Sequence, residues 1–156
     1  MGRLAALVVL ALIVAGCGGS SKPAEPGPGT VVFHGTEWAV VLDHGKATAQ
    51  HLVDGAWVPD RSGVVKIAIL GPDPGSKGNA GMLQVAAELS APKALAESAL
   101  WVDGTELLEK GGGLTPNRGT IYGAPVQALA PGKHTAVAYG RTATHATAVA
   151  WDFFVR

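Results

Sequence analysis

The sequence predicts an all-β protein whose larger part is a β-sandwich. Apolar and polar residues alternate with a period of two, as in Val65, Ile67 and Ile69, and such alternation indicates strands with one face in a core and the other toward water. Glycine- and proline-rich turns separate the strand-like segments. Only residues 93–99 contain a run of good helix formers, which is enough for one or two helical turns at most. About eight to ten short strands joined by such turns are typical of a sandwich or a small barrel.

The same alternation recurs further along the chain, and tight turns divide it into hairpins. The two clearest apolar series are Leu83, Val85, Ala87 and Leu89, and, near the C-terminus, Val149, Trp151, Phe153 and Val155. Asp54-Gly55 and Asp103-Gly104 lie between β-prone runs. We expect positive φ at both central residues of these turns, as two-residue hairpin loops require.

The N-terminus has the features of an export signal that ends at a lipidation site. Arg3 is followed by an unbroken apolar run from Leu4 to Ala15, and small residues precede Cys17, the only cysteine among the 156 residues. This stretch resembles the signal peptide and lipobox of bacterial lipoproteins. The resemblance implies that residues 1–16 are removed and that Cys17 carries a diacylglyceryl group and an amide-linked acyl chain. Such a set of chains would anchor the mature protein stably in a membrane.

Two other interpretations of this start are weaker. The apolar run is shorter than the roughly 20 residues that a membrane-spanning helix needs. An ordinary secretory signal with an incidental Cys17 stays an alternative, whereas a disulfide within this chain is excluded because it has no second cysteine.

Composition divides the mature chain into three parts. Residues 17–30 are rich in Gly, Ser and Pro and predict a semi-extended tether, because so few apolar residues cannot offset the entropy of ordering. Residues 31–63 predict a β-hairpin extension, and residues 64–156 predict the β-sandwich. We expect the folded part, residues 31–156, to bury roughly two thirds of its unfolded surface and therefore to need no disulfide.

Three motifs in the last part occur in the order and spacing of a known group of modules. They are Leu100-Trp101-Val102-Asp103-Gly104, Leu129-Ala130-Pro131-Gly132-Lys133-His134 and Trp151-Asp152-Phe153-Phe154-Val155. This half resembles the immunoglobulin-like (Ig-like) modules of bacterial secreted and surface proteins. The resemblance places His134 where Ig sandwiches carry a tyrosine whose polar tip bonds to upstream backbone, and one imidazole nitrogen can do the same. Some members bind calcium between the last two strands, but residues 141–145 lack the oxygen-rich side chains for it.

The extension of residues 31–63 lies outside that resemblance. Trp38 begins an apolar run that predicts a core strand buried on both faces, a turn follows at Asp43-His44-Gly45, and a second turn leads to Trp57. We expect the extension to add edge strands or to cover one end of the sandwich, where it would protect a sheet edge. We also expect Trp57, with His51 nearby, to line a binding surface, because flat aromatic residues are enriched where proteins bind partners.

Few residues suit catalysis or a cofactor. The 12 Lys and Arg residues are balanced by 12 Asp and Glu and form no basic cluster, which argues against nucleic-acid binding. The two candidate clusters are His34, His44 and His51, as metal ligands, and Asp103, Glu106 and Glu109, as acid–base groups. The histidines lack the usual zinc spacings, and the acids surround a hairpin tip where carboxylates are commonly solvated. With no phosphate-binding loop or nucleophile motif, the sequence predicts no cofactor, no metal and no enzymatic activity.

These features together predict a lipid-anchored protein on the extracytoplasmic side of a bacterial membrane. Its non-catalytic Ig-like domain would make structural or binding contacts with protein, glycan or cell wall. Gly18 lacks the inner-membrane retention signal that Asp gives at that place, so the outer membrane is an option in a cell with two membranes. Two alternatives stay open: a small metal-dependent envelope enzyme that uses His34, His44 and His51, or an accessory subunit of an envelope complex.

Overall fold

The computed structural model describes residues 24–79, 83–107 and 113–156, and within them the chain forms strands joined by turns, with no helix. The strands are β1 (Thr30–His34), β2 (Trp38–Asp43), β3 (Lys46–Val53), β4 (Ala56–Pro59), β5 (Lys66–Gly71), β6 (Lys77–Gly78), β7 (Val85–Ser90), β8 (Glu97–Val102), β9 (Thr105–Glu106), β10 (Gly113–Thr115), β11 (Arg118–Gly123), β12 (Gly132–Arg141) and β13 (Ala146–Val155). The helix formers at residues 93–99 form no helical turn, and the last three of them begin β8. No described segment is a helix of the length and apolarity that crossing a membrane requires.

Two of the three sheets have the strand order of an Ig-like sandwich. Sheet B has the order β10-β11-β7-β5, and sheet C has the order β6-β13-β12-β8-β9. Ig domains pair a D-E-B-A sheet with a sheet of strands G, F and C, and here β5, β7, β10 and β11 take the A, B, D and E positions while β8, β12 and β13 take C, F and G. β6 pairs in parallel with β13, and the other strand pairs of the described residues are antiparallel. The predicted all-β class and Ig-like sandwich are confirmed.

The alternating apolar residues of the sequence fill the core between sheets B and C. This sandwich core contains Val85, Ala87 and Leu89 of β7, Leu100 and Val102 of β8, and Trp151, Phe153 and Val155 of β13, all at most 4% exposed. Ala136 and Ala138 of β12 are completely buried in it. Their small side chains leave room for the rings of Trp151 and Phe153 on the neighbouring strand.

The N-terminal extension is larger than the predicted hairpin. β2 and β3 pair as expected, through a turn with φ of 47° at His44 and 76° at Gly45, and β4 follows the Asp54-Gly55 turn with φ of 50° and 80°. β1, which the sequence did not indicate, pairs with the other edge of β2 and completes sheet A, with the order β1-β2-β3-β4. A break in register between Val31 and Phe33 interrupts the β1–β2 pairing.

Sheet A covers the free face of sheet C rather than an end or an edge of the sandwich. A second core between these sheets contains Trp38, Val40 and Ala49 from sheet A and Ala99, Trp101, Val137, Tyr139 and Ala146 from sheet C. Trp38 is 3% exposed, which confirms the prediction that it is a core residue. Sheet C is therefore the middle layer of three, and this explains why the consecutive residues of β8 and β12 are apolar on both faces.

Asp60 connects sheet A to the sandwich. It follows β4, and its carboxylate accepts hydrogen bonds from the backbone N–H groups of Ser62 and Ala146, both at 2.8 Å. Burial acts to raise the pKa of Asp60, but these hydrogen bonds and the nearby His145 outweigh it and lower the pKa below its ordinary value. The charged carboxylate of Asp60 thus joins the end of sheet A to the start of β13 in sheet C.

The second core contains a polar atom whose removal should stabilise the protein. Tyr139 is 0% exposed, and its hydroxyl has no hydrogen-bond partner among the described residues; burial raises the pKa of this hydroxyl. We expect Tyr139→Phe to raise the free energy of unfolding by about 1 kcal/mol, because an unpaired buried hydroxyl is lost while the ring shape is kept. Urea denaturation measures this free energy, and Tyr122→Phe is the control because Tyr122 is only half-buried. A loss of stability in Tyr139→Phe would contradict the expectation.

Candidate binding site on the N-terminal sheet

The outer face of sheet A, which points away from sheet C, is covered by the chain's own N-terminal segment. Residues 24–29, here called the strap, precede β1 and cross this face from β4 to the far end of β2. Ala39 and Val41 are 0% and 2% exposed although no other sheet of the described residues lies over them. The sequence predicts a tether at residues 17–30, but its last residues lie against the domain.

Two side chains of sheet A hold the strap through its backbone. The indole Nε1–H of Trp57 donates to the carbonyl oxygen of Ala24 at 2.8 Å, and the backbone N–H of Gly27 donates to Oε1 of Gln50 at 2.9 Å. Gln50 is only 5% exposed, so its amide is committed to this contact. Closer to β1, a Cβ atom on Gly29 would lie 2.6 Å from the carbonyl oxygen of Leu42 and 2.8 Å from Cγ1 of Val41. The strap therefore sits directly on the sheet.

A cleft of about 490 Å³ opens where the strap begins. Trp57 and His34 form two of its walls, with ring centroids 5.2 Å apart and the rings edge to face. Leu52, Gly35 and Ala24 complete much of the lining. The cleft is mainly apolar, with one ring N–H donor from Trp57 and the imidazole of His34 in its walls, and few polar groups in an apolar lining are typical of a binding site.

The structure does not bring the predicted pair Trp57 and His51 together. In the β3–β4 register Trp57 pairs with Leu52, whereas His51 pairs with Val58, and neighbouring residues of a strand point to opposite faces. His51 lies on the side of sheet C and stacks on Trp38, with centroids 4.2 Å apart and an interplanar angle of 6°. His34, on the outer face, is the histidine beside Trp57.

The three histidines considered as metal ligands are separated by the same geometry. His34 is on the outer face of sheet A, His44 is in the β2–β3 turn beside Asp43, and His51 is on the opposite face. Among the described residues, no group of three His, Cys, Asp or Glu side chains is arranged to hold a metal ion. The enzyme alternative based on these histidines therefore gains no support from the geometry.

His134 makes the contact to upstream backbone that the sequence predicts, and we call His134 with its hydrogen-bond partners the His134 corner. Its Nε2 lies 2.8 Å from the carbonyl oxygen of Ala130, so the expected bond to upstream backbone is present. Its Nδ1 lies 2.6 Å from Oδ2 of Asp103, whose other oxygen accepts the N–H of Thr135 at 2.9 Å. Both ring nitrogens face oxygen acceptors, and an imidazole can donate to both only when it is doubly protonated. Both nitrogens of His134 are therefore engaged in structural contacts, and the doubly protonated ring is the form that satisfies both acceptors.

The His134 corner should make stability depend on pH. The hydrogen bond to Asp103 raises the pKa of His134 above its ordinary value of 6.5, and burial opposes this only in part. A raised folded-state pKa means that the stabilisation is complete below the unfolded pKa and is lost as pH rises through the folded pKa. We expect the free energy of unfolding to fall as pH rises from the unfolded to the folded pKa of His134. Asp103→Asn should make this fall smaller, and asparagine suits the φ of 50° at this turn position. Urea denaturation at pH values on both sides of 6.5 measures it, and stability that rises with pH would contradict it.

The remaining candidates have structural roles or lie outside the described residues. Asp103 is part of the His134 corner, Glu106 is in β9, and Glu109 and Cys17 lie outside the described residues. The turn at Asp103-Gly104 has φ of 50° and 78°, as predicted for a two-residue hairpin loop. The strap contact of Gln50 could not be found from the sequence, because Gln50 lies 23 residues from Gly27 along the chain and no local pattern joins them.

Comparison with known proteins adds little to this description. No protein-family model matches the chain. No curated protein matches it either. Among solved structures, the chain is similar to titin Ig tandem domains A164-A165, with 11% sequence identity and a TM-score of 0.40 over 80% of this chain and 75% of that chain. A likeness this low carries no argument, so the Ig-like assignment depends on the strand order and register.

Proposed function

We propose that this protein is a lipid-anchored module of a bacterial cell envelope that binds a partner, without catalysis, through the outer face of sheet A. The observation that supports binding at this face is the cleft between His34 and Trp57, on a sheet whose other face is packed on the sandwich. In this proposal the Ig-like sandwich is the rigid scaffold. Both ring nitrogens of His134 are within hydrogen-bond distance of structural partners, Asp103 and Ala130.

The anchoring part of the proposal rests on the sequence. The apolar run that ends in Ala15-Gly16-Cys17 supports processing before Cys17 and acylation of its thiol. We expect labelled palmitate to enter the full-length protein in a bacterial host and the label to be lost in Cys17→Ser. Equal labelling of the two proteins would contradict anchoring through Cys17.

The binding part is tested at Trp57. Because the ring is half-buried on the outer face and is not in either core, we expect Trp57→Ala to leave the melting temperature nearly unchanged and to reduce capture of a partner from the native envelope. Val126→Ala is the control, since Val126 is 85% exposed in the loop before β12 and is not part of the cleft. Unchanged capture, or a loss of several kcal/mol as for a core tryptophan, would contradict a binding role for Trp57.

A further inference from the structure

The contacts of the strap show which ligand chemistry the outer face of sheet A accepts. The hydrogen bonds from Trp57 to Ala24 and from Gly27 to Gln50 use backbone groups of the strap. At these two points the sheet contacts the backbone of the strap, which bends at residues 27–29. Proline-rich segments commonly bind in grooves that are lined by aromatic side chains, and Trp57 adds a donor to a backbone carbonyl here.

Glycine and proline have separate uses in the strap. Gly29 has a φ of 123° and touches the backbone of Leu42 so closely that no side chain fits there. At Gly27 a Cβ atom would be 3.1 Å from Nε2 of Gln50, which is a tight contact. Pro26 and Pro28, which alternate with them, have a φ restricted by the proline ring and so lower the conformational entropy lost on binding.

The groove does not end with the strap. The cleft beside His34 and Trp57 begins at Ala24 and continues the same face beyond it. The cleft is thus a further apolar surface on the outer face of sheet A, next to the Trp57 donor.

We propose that the outer face of sheet A is a binding groove for proline- and glycine-containing polypeptide, and that the strap is its resident intramolecular occupant. This deepens the proposed function, since it names the class of partner for the same surface. A partner segment of this chemistry binds by displacing the strap, so the strap limits the fraction of molecules that are competent to bind.

The test supplies the strap's sequence in trans. The protein is the full mature chain with Cys17→Ser, and the probe is a fluorescent peptide with the sequence of residues 22–30, Lys-Pro-Ala-Glu-Pro-Gly-Pro-Gly-Thr. Gly29→Val displaces the strap in cis, because its side chain would collide with Leu42 and Val41. We expect the peptide to bind Gly29→Val at least about tenfold more tightly than the wild type, as the competent fraction rises. Gly27→Val, which crowds the side chain of Gln50, provides a second variant should Gly29→Val fold poorly.

Matched controls separate release of the strap from general strain. Gly132→Val places a side chain at a similar φ of 139° with no atom within 4 Å, and we expect it to gain no affinity for the peptide. Trp57→Phe in the Gly29→Val background keeps a ring without the N–H donor and should lose most of the gained binding. A peptide that itself carries Val in place of Gly29 should not bind.

The outcomes decide between a receptor groove and a purely structural strap. An unchanged far-UV circular dichroism spectrum shows that Gly29→Val and Gly27→Val are folded. If neither folded variant binds the peptide, the proposal is overturned. Equal binding of a peptide with alanine at all three proline positions would overturn the proline class. Either result is independent of the palmitate labelling of Cys17 and of partner capture through Trp57, so the proposed function can stand or fall separately.

Discussion

Replacing Trp151 with alanine should lower the free energy of unfolding by about 3–5 kcal/mol. The ring is 4% exposed in the sandwich core, between sheets B and C, and its Nε1–H donates to the carbonyl oxygen of Pro72 at 2.9 Å. Truncation removes the buried apolar area, leaves a cavity beside the small Ala136, and removes the partner of the Pro72 carbonyl. Urea denaturation followed by far-UV circular dichroism measures the loss without depending on tryptophan fluorescence.

Two further variants divide this loss into its causes. Trp151→Phe keeps an aromatic ring but not the N–H donor, and we expect it to cost clearly less than the alanine variant. Trp57→Ala, on the outer face of sheet A, should change stability little, because Trp57 belongs to neither core. If Trp151→Ala and Trp57→Ala cost the same, the assignment of Trp151 to the sandwich core would be wrong.

Adding a single methyl group at Gly140 should destabilise the protein by about 1–3 kcal/mol, although alanine suits a strand at least as well as glycine. Gly140 continues the inward series of Ala136 and Ala138 on β12, and a Cβ atom there would lie 2.0 Å from Cδ2 of Leu89. Leu89 is 1% exposed, and the nearby Val65 is also buried, so the leucine has little space into which to move. The cost therefore arises from overpacking and not from backbone strain.

A double-mutant cycle identifies the collision partner. Leu89→Ala alone should cost about 2–5 kcal/mol through a cavity, but in the Gly140→Ala background it should cost less, because the added methyl group enters the space that the leucine leaves. Gly78→Ala is the matched control in another strand, since its nearest neighbour would be Cδ1 of Leu83 at an ordinary 3.6 Å. Additive effects of Gly140→Ala and Leu89→Ala would contradict the predicted collision.

The features that could be predicted from the sequence are those that depend on neighbouring residues. The alternation at Val85, Ala87 and Leu89 indicates a face toward the core because side chains alternate along any strand. The Asp-Gly turns require positive φ, and few residue types tolerate it. His134 bonds to Ala130, four residues before it, so the motif contains both partners. Each of these expectations is confirmed because the physical cause acts within a few residues.

Features that join distant segments could not be predicted in this way. The partner of His134 on its other nitrogen, Asp103, is 31 residues away and is set by the pairing of β12 with β8. The steric limit at Gly140 depends on Leu89 in the opposite sheet. Neither relation leaves a local pattern, because it is created only when the two sheets face each other.

The sequence by itself determined the all-β class, the positions of most strands and turns, and the burial of Trp38. The tertiary structure decided that sheet C is covered on both faces, that β1 and the strap belong to the folded domain, and that Trp57 faces His34 instead of His51. The physical reason is that strand register and sheet packing select one face for each side chain. A pairing of Trp57 with Leu52 directs it outward, and residues 24–29 have too few apolar groups to indicate that sheet A would bind them.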